Sequence, residues 1–453
     1  MTRNATHFHP LERRALGGLT ALYGIRMLGL FMLLPILALY SGHLTDATPT
    51  LIGLALGIYG FTQAMFQIPF GMLSDRWGRK PIIALGLVLL CIGSVIAADA
   101  TTMYGVVAGR ALQGSGAISG VIMALLADRT REEVRTRAMA TVGISIGGAI
   151  GASMVVGPIV AHHFGLTGVF LLTALLALLG LVVLWKLVPA APVRSHKDVG
   201  MDFRQLTSIL KRLDLARLDY SIFALHGIFT ALFVVLPLKL SGLGFSSEEA
   251  GWVYLPIMLT SFVAMTPLII IAEKHRRMKP VFIGTVVLLI ATLALMYAIP
   301  AHSWLILALL WLFFFAFNLM ESVLPSMISK VAPAGGKGTA LGIYSTSQFL
   351  GTTIGGAAGG VVADYLGASM VFLFVTLLAI IWLLVVWGMK PPRHLSSEIA
   401  PIKGDFSNAQ ALLSELLKVP GVADAMVATE ENVAYLKVDK ETLDREALNR
   451  LVG

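Results

Sequence analysis

The chain has 453 residues, of which 57% are hydrophobic and 13% charged. A soluble globular chain is nearer a quarter charged, and one water-soluble core cannot hide this much apolar surface, so a compact soluble protein is excluded. The formal net charge of +8 would suit nucleic acid, but the basic residues lie in connections between apolar runs and form no basic face on a soluble module, so that partner is excluded too.

The first segment, Met1 to Arg14, is polar and carries Arg3, Arg13 and Arg14. The apolar run behind it is longer than a signal-peptide core and lacks a small-residue cleavage site, so it reads as a retained first span. A spanning helix takes about 20 mostly apolar residues. Twelve spans are predicted, at about 15–41, 50–71, 81–99, 103–127, 138–162, 167–188, 218–241, 248–272, 280–299, 303–329, 338–363 and 368–389. Cys91, in the third, is the one cysteine, which leaves no disulfide framework and no thiolate metal cluster. His162 and His163, between the fifth and sixth, read as solvent-facing rather than metal-binding.

The polar stretch 189–216 divides the spans into six plus six. Within it Leu206, Ile209, Leu210 and Leu213 share one helical face, with Lys211 and Arg212 off it. It is either a helix lying on the membrane surface or an ordinary structured connector. The expected units are an N-terminal six-helix bundle (1–188), this linker, a C-terminal six-helix bundle (217–390) and a tail domain (396–453).

Every second connection is basic. Arg76, Arg79 and Lys80 follow the second span, and Arg129, Arg131, Arg135 and Arg137 follow the fourth. Lys274, Arg276, Arg277 and Lys279 follow the eighth, and Lys330 and Lys337 the tenth. The central linker is basic as well, and the intervening connections hold only Lys239. Cytoplasmic loops retain Lys and Arg, so both termini are expected in the cytoplasm. The halves also echo each other. Gly143, Gly147, Gly148, Gly151 and Gly157 fill the fifth span, and Gly342, Gly351, Gly355, Gly356, Gly359 and Gly360 the eleventh. Small residues let helix backbones approach closely in lipid.

After Pro391-Pro392 the chain becomes charged and soluble-looking. A strand near 399–403, a helix over 409–417, strands over 422–428 and 433–438 and a helix over 443–451 make a β-α-β-β-α order, the ferredoxin-like plan. A last strand is missing or lies beyond the end. The Val419-Pro420-Gly421-Val422 turn resembles heavy-metal-associated domains, but the Cys-x-x-Cys loop of those domains is absent, so thiolate metal binding is excluded there. A regulatory or interaction role with a cytoplasmic ligand or partner is what remains for the tail.

The most informative stretch is Gly71-Met72-Leu73-Ser74-Asp75-Arg76-Trp77-Gly78-Arg79-Lys80-Pro81. It closely resembles the signature loop of the major facilitator superfamily in spacing, position and length. Gly71 and Gly78 permit tight packing and a turn, and Pro81 suits a first helical turn. The resemblance implies a gating cluster of Gly71, Asp75, Arg76, Gly78, Arg79 and Asp128. In it Asp75 would sit near Gly338 and Thr339 at the positive end of the eleventh helix, and Arg79 would pair with Asp128, closing the inner side of the outward-open state. Arg110-Ala111-Leu112-Gln113-Gly114 resembles a second motif of the family and implies a role for Arg110 in proton coupling or in bracing the bundle; a snorkelling position near the outer surface is the alternative. Gly157-Pro158 resembles the helix-packing core of a drug/proton antiporter motif, although Ser153 and Ala161-His162 stand where glycines are expected. The corresponding loop of the second half, 271–280, keeps its basic end and Pro280 but not the aspartate or glycines.

Few ionisable groups fall deep inside the predicted spans; among them are Arg26, Arg110, His226 and Glu321, on the first, fourth, seventh and tenth. In the family these four helices line the central cavity. Glu321 is the leading proton-coupling candidate, with Arg26 as its counter-charge; the alternatives are a helix-end position for Glu321 and a packed core position for His226. Gln63, Gln67, Gln113 and Asn318 are candidates for binding substrate, and the glutamines serve equally well to join helices.

The expectation is therefore an all-α membrane protein of twelve transmembrane helices in two six-helix bundles, with a small α+β ferredoxin-like C-terminal domain. The resemblance implies no enzyme and no cofactor. It implies a multi-pass transporter of the bacterial inner membrane that exchanges protons for a small organic molecule and exports it. Two alternatives stand: a facilitator or symporter on the same fold, and a non-transporting sensor that signals through the tail.

Overall fold

The computed structural model describes residues 8–189, 203–300, 304–391, 395–402, 409–429, 432–439 and 442–452. Its helices are α1 (Pro10–Phe31), α2 (Leu37–Tyr40), α3 (Pro49–Trp77), α4 (Arg79–Ala98), α5 (Met103–Ser115), α6 (Ser119–Arg129), α7 (Glu132–Lys186) and α8 (Phe203–Leu210). They continue as α9 (Leu213–Ser241), α10 (Ser247–Lys274), α11 (Met278–Ala298), α12 (Leu305–Val331), α13 (Lys337–Leu366) and α14 (Ala368–Trp387). Among the described residues, nine helical stretches are long and apolar enough to cross a membrane. Residues 190–202 of the linker lie outside the described residues; Ile209 of α8 is buried, while Leu210 at its end and Leu213, the first residue of α9, are exposed.

Four predicted boundaries are corrected, each for a local backbone reason. The first span does not run unbroken to 41. It stops at Phe31, passes through turns around Pro35, and resumes as α2, because proline lacks the N–H that a helix interior needs. The fourth breaks between Ser115 and Ser119, where Gly116 packs against the Gly86 backbone. The fifth and sixth are joined with no loop. At about 1.5 Å per residue the 55-residue α7 would be far longer than a bilayer is thick, and Gly165, at φ 64° and ψ −168°, turns it back. The signature stretch is scarcely a loop either: Gly71 to Trp77 is helical, and Gly78 alone, at φ 92°, separates α3 from α4. Gly71 has nothing within 4 Å of where a Cβ would stand, so the tight packing expected of it is not seen.

The helices form two sets, α1–α7 and α9–α14, and their cores show how the sets meet. One buried cluster holds the α9–α14 interior together with Met32 to Ala38, Ile52, Leu56, Met103, Met154 and Phe170 of the first set. A separate cluster, with Leu19, Leu22, Ile83, Leu87, Ile122, Leu126 and Leu184, fills the rest of the first set. The sets are thus fused at the end away from the basic connections and parted at the basic end. The fused end is made of backbone. A Cβ at Gly53, Gly57 or Gly60 of α3 would strike the backbone of Gly356, Thr353 or Phe349 of α13, and Gly360 meets Pro49 in the same way. Thr50 Oγ1 donates to Asp364 Oδ2 at 2.6 Å across this seam. A second seam sets Pro158 of α7 against Gly251 of α10, while Gly157 packs on the Met32 carbonyl where α1 has broken.

The tail holds β1 (Ser396–Pro401), α15 (Ala409–Leu416), β2 (Val422–Ala428), β3 (Val433–Val438) and α16 (Arg445–Val452), with an antiparallel sheet in the order β1-β3-β2. The helices cover one face through Leu412, Leu416, Leu436, Val438, Leu448 and Val452. The sheet also meets the α12–α13 connection, where Ala334 packs with Ala428, Tyr435 and Met426. There the Ala334 N–H donates to Asp424 Oδ2 at 3.0 Å, and Lys437 Nζ donates to the Ser329 carbonyl at 2.6 Å.

Candidate functional site

The first helix set holds two buried arginines around one tyrosine. Arg26 of α1 donates to Tyr59 Oη at 2.8 Å and also to Ser119 Oγ and Gln63 Oε1. Arg110 of α5 lies 4.8 Å from the Tyr59 ring centroid and donates to the Ala55 carbonyl and to Gln113 Oε1. Gln113 in turn donates to Ser94 Oγ at 2.7 Å. Both arginines are 2% exposed, so Arg110 is not a snorkelling surface residue. Each has its donors met by neutral acceptors and an aromatic face, as a buried cation requires. The break between α5 and α6 contributes directly, because it brings Ser119 to the Arg26 guanidinium. Arg26 is therefore tied into its own helix set rather than paired with Glu321. Gln63 and Gln113 are likewise bonded to the arginines. Gln67 differs, with a buried Oε1 that has no hydrogen-bond partner among the described residues.

The second set holds the carboxylate. Glu321 stands in the middle of α12, not at its end, and its Oε2 lies 3.7 Å from His226 Nε2 of α9. Gln348 of α13 bridges the two, with its Nε2 2.8 Å from His226 Nε2 and 3.4 Å from Glu321 Oε1. His226 is packed, as its aromatic neighbours Phe229 and Phe317 show, yet it also touches the carboxylate. Glu321 keeps 38% of its side chain exposed although it is mid-helix. Its Oε2 is buried and accepts no hydrogen bond among the described residues. Asn318, one turn earlier, donates to Ser261 Oγ at 3.1 Å and joins α12 to α10.

At the basic end, Arg79 Nε contacts Asp128 Oδ2 at 3.1 Å, with side chains only 9% and 3% exposed. Arg79 also pairs with Asp75 at 2.5 Å and donates to Ser74 Oγ. Asp75 is half exposed, and its described ion pair lies within this cluster rather than at the start of α13. Arg76 is exposed.

Gln348, Tyr59 and Ser119 escaped the sequence reading. Gln348 is a lone amide in a glycine-rich helix, and that isolation was the available signal. Asp219 of α9 escaped as well, although its Oδ1 is buried with no partner among the described residues.

Comparison with known proteins agrees with this architecture. The pattern that describes the Major Facilitator Superfamily matches residues 19–322 and 218–429. The chain is 44% identical to the inner membrane transport protein YajR of Escherichia coli, over 98% of each chain. It is 23% identical to the multidrug resistance protein MdtH of Aeromonas hydrophila, over 75% of this chain and 85% of that one. The solved structure of a mutant of the nucleoside transporter NupG shares the fold at a TM-score of 0.64 and 15% identity, covering 83% of this chain and 99% of that chain. The chain, a multi-pass membrane protein whose helix sets part at one end around buried polar clusters, belongs to the major facilitator superfamily and is a transporter, not an enzyme.

Proposed function

We propose that the chain is a proton-coupled secondary transporter that exports a small organic molecule across the bacterial inner membrane by alternating access. The observation that carries this reading is the Glu321–His226–Gln348 cluster: a partly exposed acid in the middle of α12, beside a histidine and an amide. An intramembrane acid is costly when charged and unpaired, so loading and unloading a proton is the chemistry that suits it. The multidrug resistance name of the MdtH relative supports efflux of an organic molecule. Gln67, with its unpartnered oxygen, is the polar side chain best placed to serve a substrate. Arg26 and Arg110 brace the first bundle around Tyr59.

The reading includes twelve spans in two six-helix bundles, with α5 and α6 as one broken span and α7 as two. The basic connections lie on the cytoplasmic side with both termini. On that reading the fused end is periplasmic, and the structure is the inward-open state. Asp75 and Arg79 would then be waiting for the α13 start, which approaches when the inner side closes. The β1-β3-β2 order with two covering helices supports a ferredoxin-like plan for the tail.

The test uses full-length protein in liposomes with an imposed pH gradient and a panel of organic cations and anions. Addition of a transported compound is expected to discharge the gradient in the wild type and not in Glu321→Gln. Transport that moves no protons, or a Glu321→Gln protein with unchanged pH dependence, would remove the coupling assignment.

A further inference from the structure

The α10–α11 connection holds, in the second helix set, the place that the signature stretch holds in the first, and it keeps the basic end without the aspartate or the glycines. Retention of basic loops accounts for the sign of its charges but not for their enclosure. Arg276 stands between the two helices at φ 56°, a backbone conformation that residues with a Cβ rarely adopt. Beyond it, Arg277 and Lys279 flank Met278, which is 1% exposed and fixes the start of α11 in the core.

Arg276, Arg277 and Lys279 border a cavity of about 420 Å³, together with Pro280, Ile283 and, from beyond the end of α14, Pro391. That volume falls within the about 300–1,000 Å³ of small-molecule sites. Among the described residues that line the cavity none is acidic, and neither α11 nor α14 contains an acid. Glu273, the acid nearest in sequence, is engaged by α12: its Oε2 lies 2.5 Å from Lys330 Nζ, and its Oε1 accepts from Ser326 Oγ at 2.5 Å. Lys390, exposed beside Pro391, adds to the positive charge.

The cavity also lies where apolar spans end. Both α11 and α14 are long and apolar enough to cross a membrane, and the first begins where the second ends. Phe282 and Trp382, both buried, hold them side by side with ring centroids 6.1 Å apart. Away from the cavity the pair exposes Val287 of α11 and Leu377, Ile381 and Leu384 of α14. Trp387, 65% exposed, ends α14, and indole rings settle at the level of lipid headgroups. A ligand that suits both the cavity and this face has an anionic head and hydrocarbon chains. A soluble anion would use the cavity alone.

We infer that the cavity holds the phosphate head of one anionic phospholipid, from the leaflet at the basic end, with its chains against the α11–α14 face. Arginine grips phosphate oxygens through paired N–H groups and lysine acts as a point charge, and a basic pocket between spanning helices at the membrane surface suits such a head.

Native mass spectrometry of the full-length protein in detergent, titrated with phosphatidylglycerol or with phosphatidylcholine of the same chains, counts the lipids bound. One phosphatidylglycerol is expected to bind about tenfold or more tightly than phosphatidylcholine. Each Lys or Arg near an anionic lipid contributes about 1 kcal/mol, or about fivefold. Arg277→Gln should therefore weaken phosphatidylglycerol about fivefold, and Arg276→Gln, Arg277→Gln and Lys279→Gln together about a hundredfold. Ile283→Trp fills the cavity and keeps every charge; it is expected to abolish the preference, which a diffuse attraction to the basic end would survive. Equal binding of the two lipids to the wild type, a comparison that needs no variant to fold, overturns the site, and so does an undiminished preference in Ile283→Trp or in the triple variant. Glycerol 3-phosphate that displaces phosphatidylglycerol at equal concentration would make this a site for a soluble organic phosphate and overturn the lipid assignment.

Discussion

Arg79 ties together two acids that differ sharply in surroundings, and the difference predicts different outcomes on substitution. Asp128 is 3% exposed and Asp75 52%. Removing one partner of a buried ion pair leaves the other charge stranded and costs about 3–5 kcal/mol, whereas an exposed pair one turn apart contributes about 0.3–0.5 kcal/mol. Thermal unfolding should therefore show Asp128→Asn strongly destabilised and Asp75→Asn close to wild type, even though Asp75→Asn is expected to slow transport. Equal stability losses would mean that the two acids share the guanidinium on equal terms. A second residue-scale prediction concerns Glu12, which lies ahead of the first span. Burial works against its charge. The side-chain and backbone hydrogen bonds of Arg131, the His9 N–H and the Arg131 charge outweigh that burial and bring the carboxyl down to about 2. Its folded value lies below the ordinary 4.5, so the tether between α1 and α7 is complete above about pH 5 and is lost as pH falls toward 2. Acid titration of unfolding should show this loss in the wild type and not in Glu12→Gln.

At the scale of elements, the α3–α13 seam makes a prediction that side-chain chemistry alone would not. Any side chain at Gly356 must displace the Gly53 carbonyl, so Gly356→Val should pry the fused end apart without disturbing either set's own core. A cysteine placed at Thr50 should then react several-fold faster with a membrane-impermeant reagent added from outside; unchanged labelling would show that the seam yields elsewhere. The elements themselves were largely readable in advance. Hydropathy located α9 to α14 within a few residues, and the tail strands β2 and β3 appear at the predicted positions, because apolar periodicity records burial directly. What escaped was backbone detail inside apolar runs. Pro35, Gly116 and Gly165 interrupt helices without interrupting hydropathy, so the runs looked continuous or separated by a conventional loop. The site was legible in part. The Arg79–Asp128 pair followed from the motif, but the partners of Arg26 depend on a helix break that no periodicity reveals. Asp219 was hidden by its position just behind the basic linker, where acids are ordinarily solvated.

For the whole molecule, a regulatory role for the tail is testable through where it touches the membrane part. Its sheet is bonded to the connection between α12, which carries Glu321, and α13, which carries Gln348 and Tyr344. Hydrogen bonds to charged groups contribute about 1.5–3 kcal/mol, enough to shift a two-state population by a factor of roughly 12–150. Deleting 396–453 should leave insertion intact and move the population away from the inward-open state, read as a shorter spin-label distance between the basic ends of α3 and α13. An unchanged distance distribution would make the tail a passive appendage to the transport cycle.

On the proposed alternating-access cycle, the two ends of the molecule would be closed by different physics. At the fused end, helix backbones touch through glycine, and among the described residues the Thr50–Asp364 hydrogen bond is the polar link across the α3–α13 seam. Opening it exchanges close backbone contact for contact with water and moves no charge pair, so its rate should remain nearly indifferent to salt. At the basic end, Asp75, Arg79 and their neighbours act through charge in a partly wet setting, so closure there should weaken as ionic strength rises. On that cycle the electrolyte would set the pace of one gate and leave the other untouched.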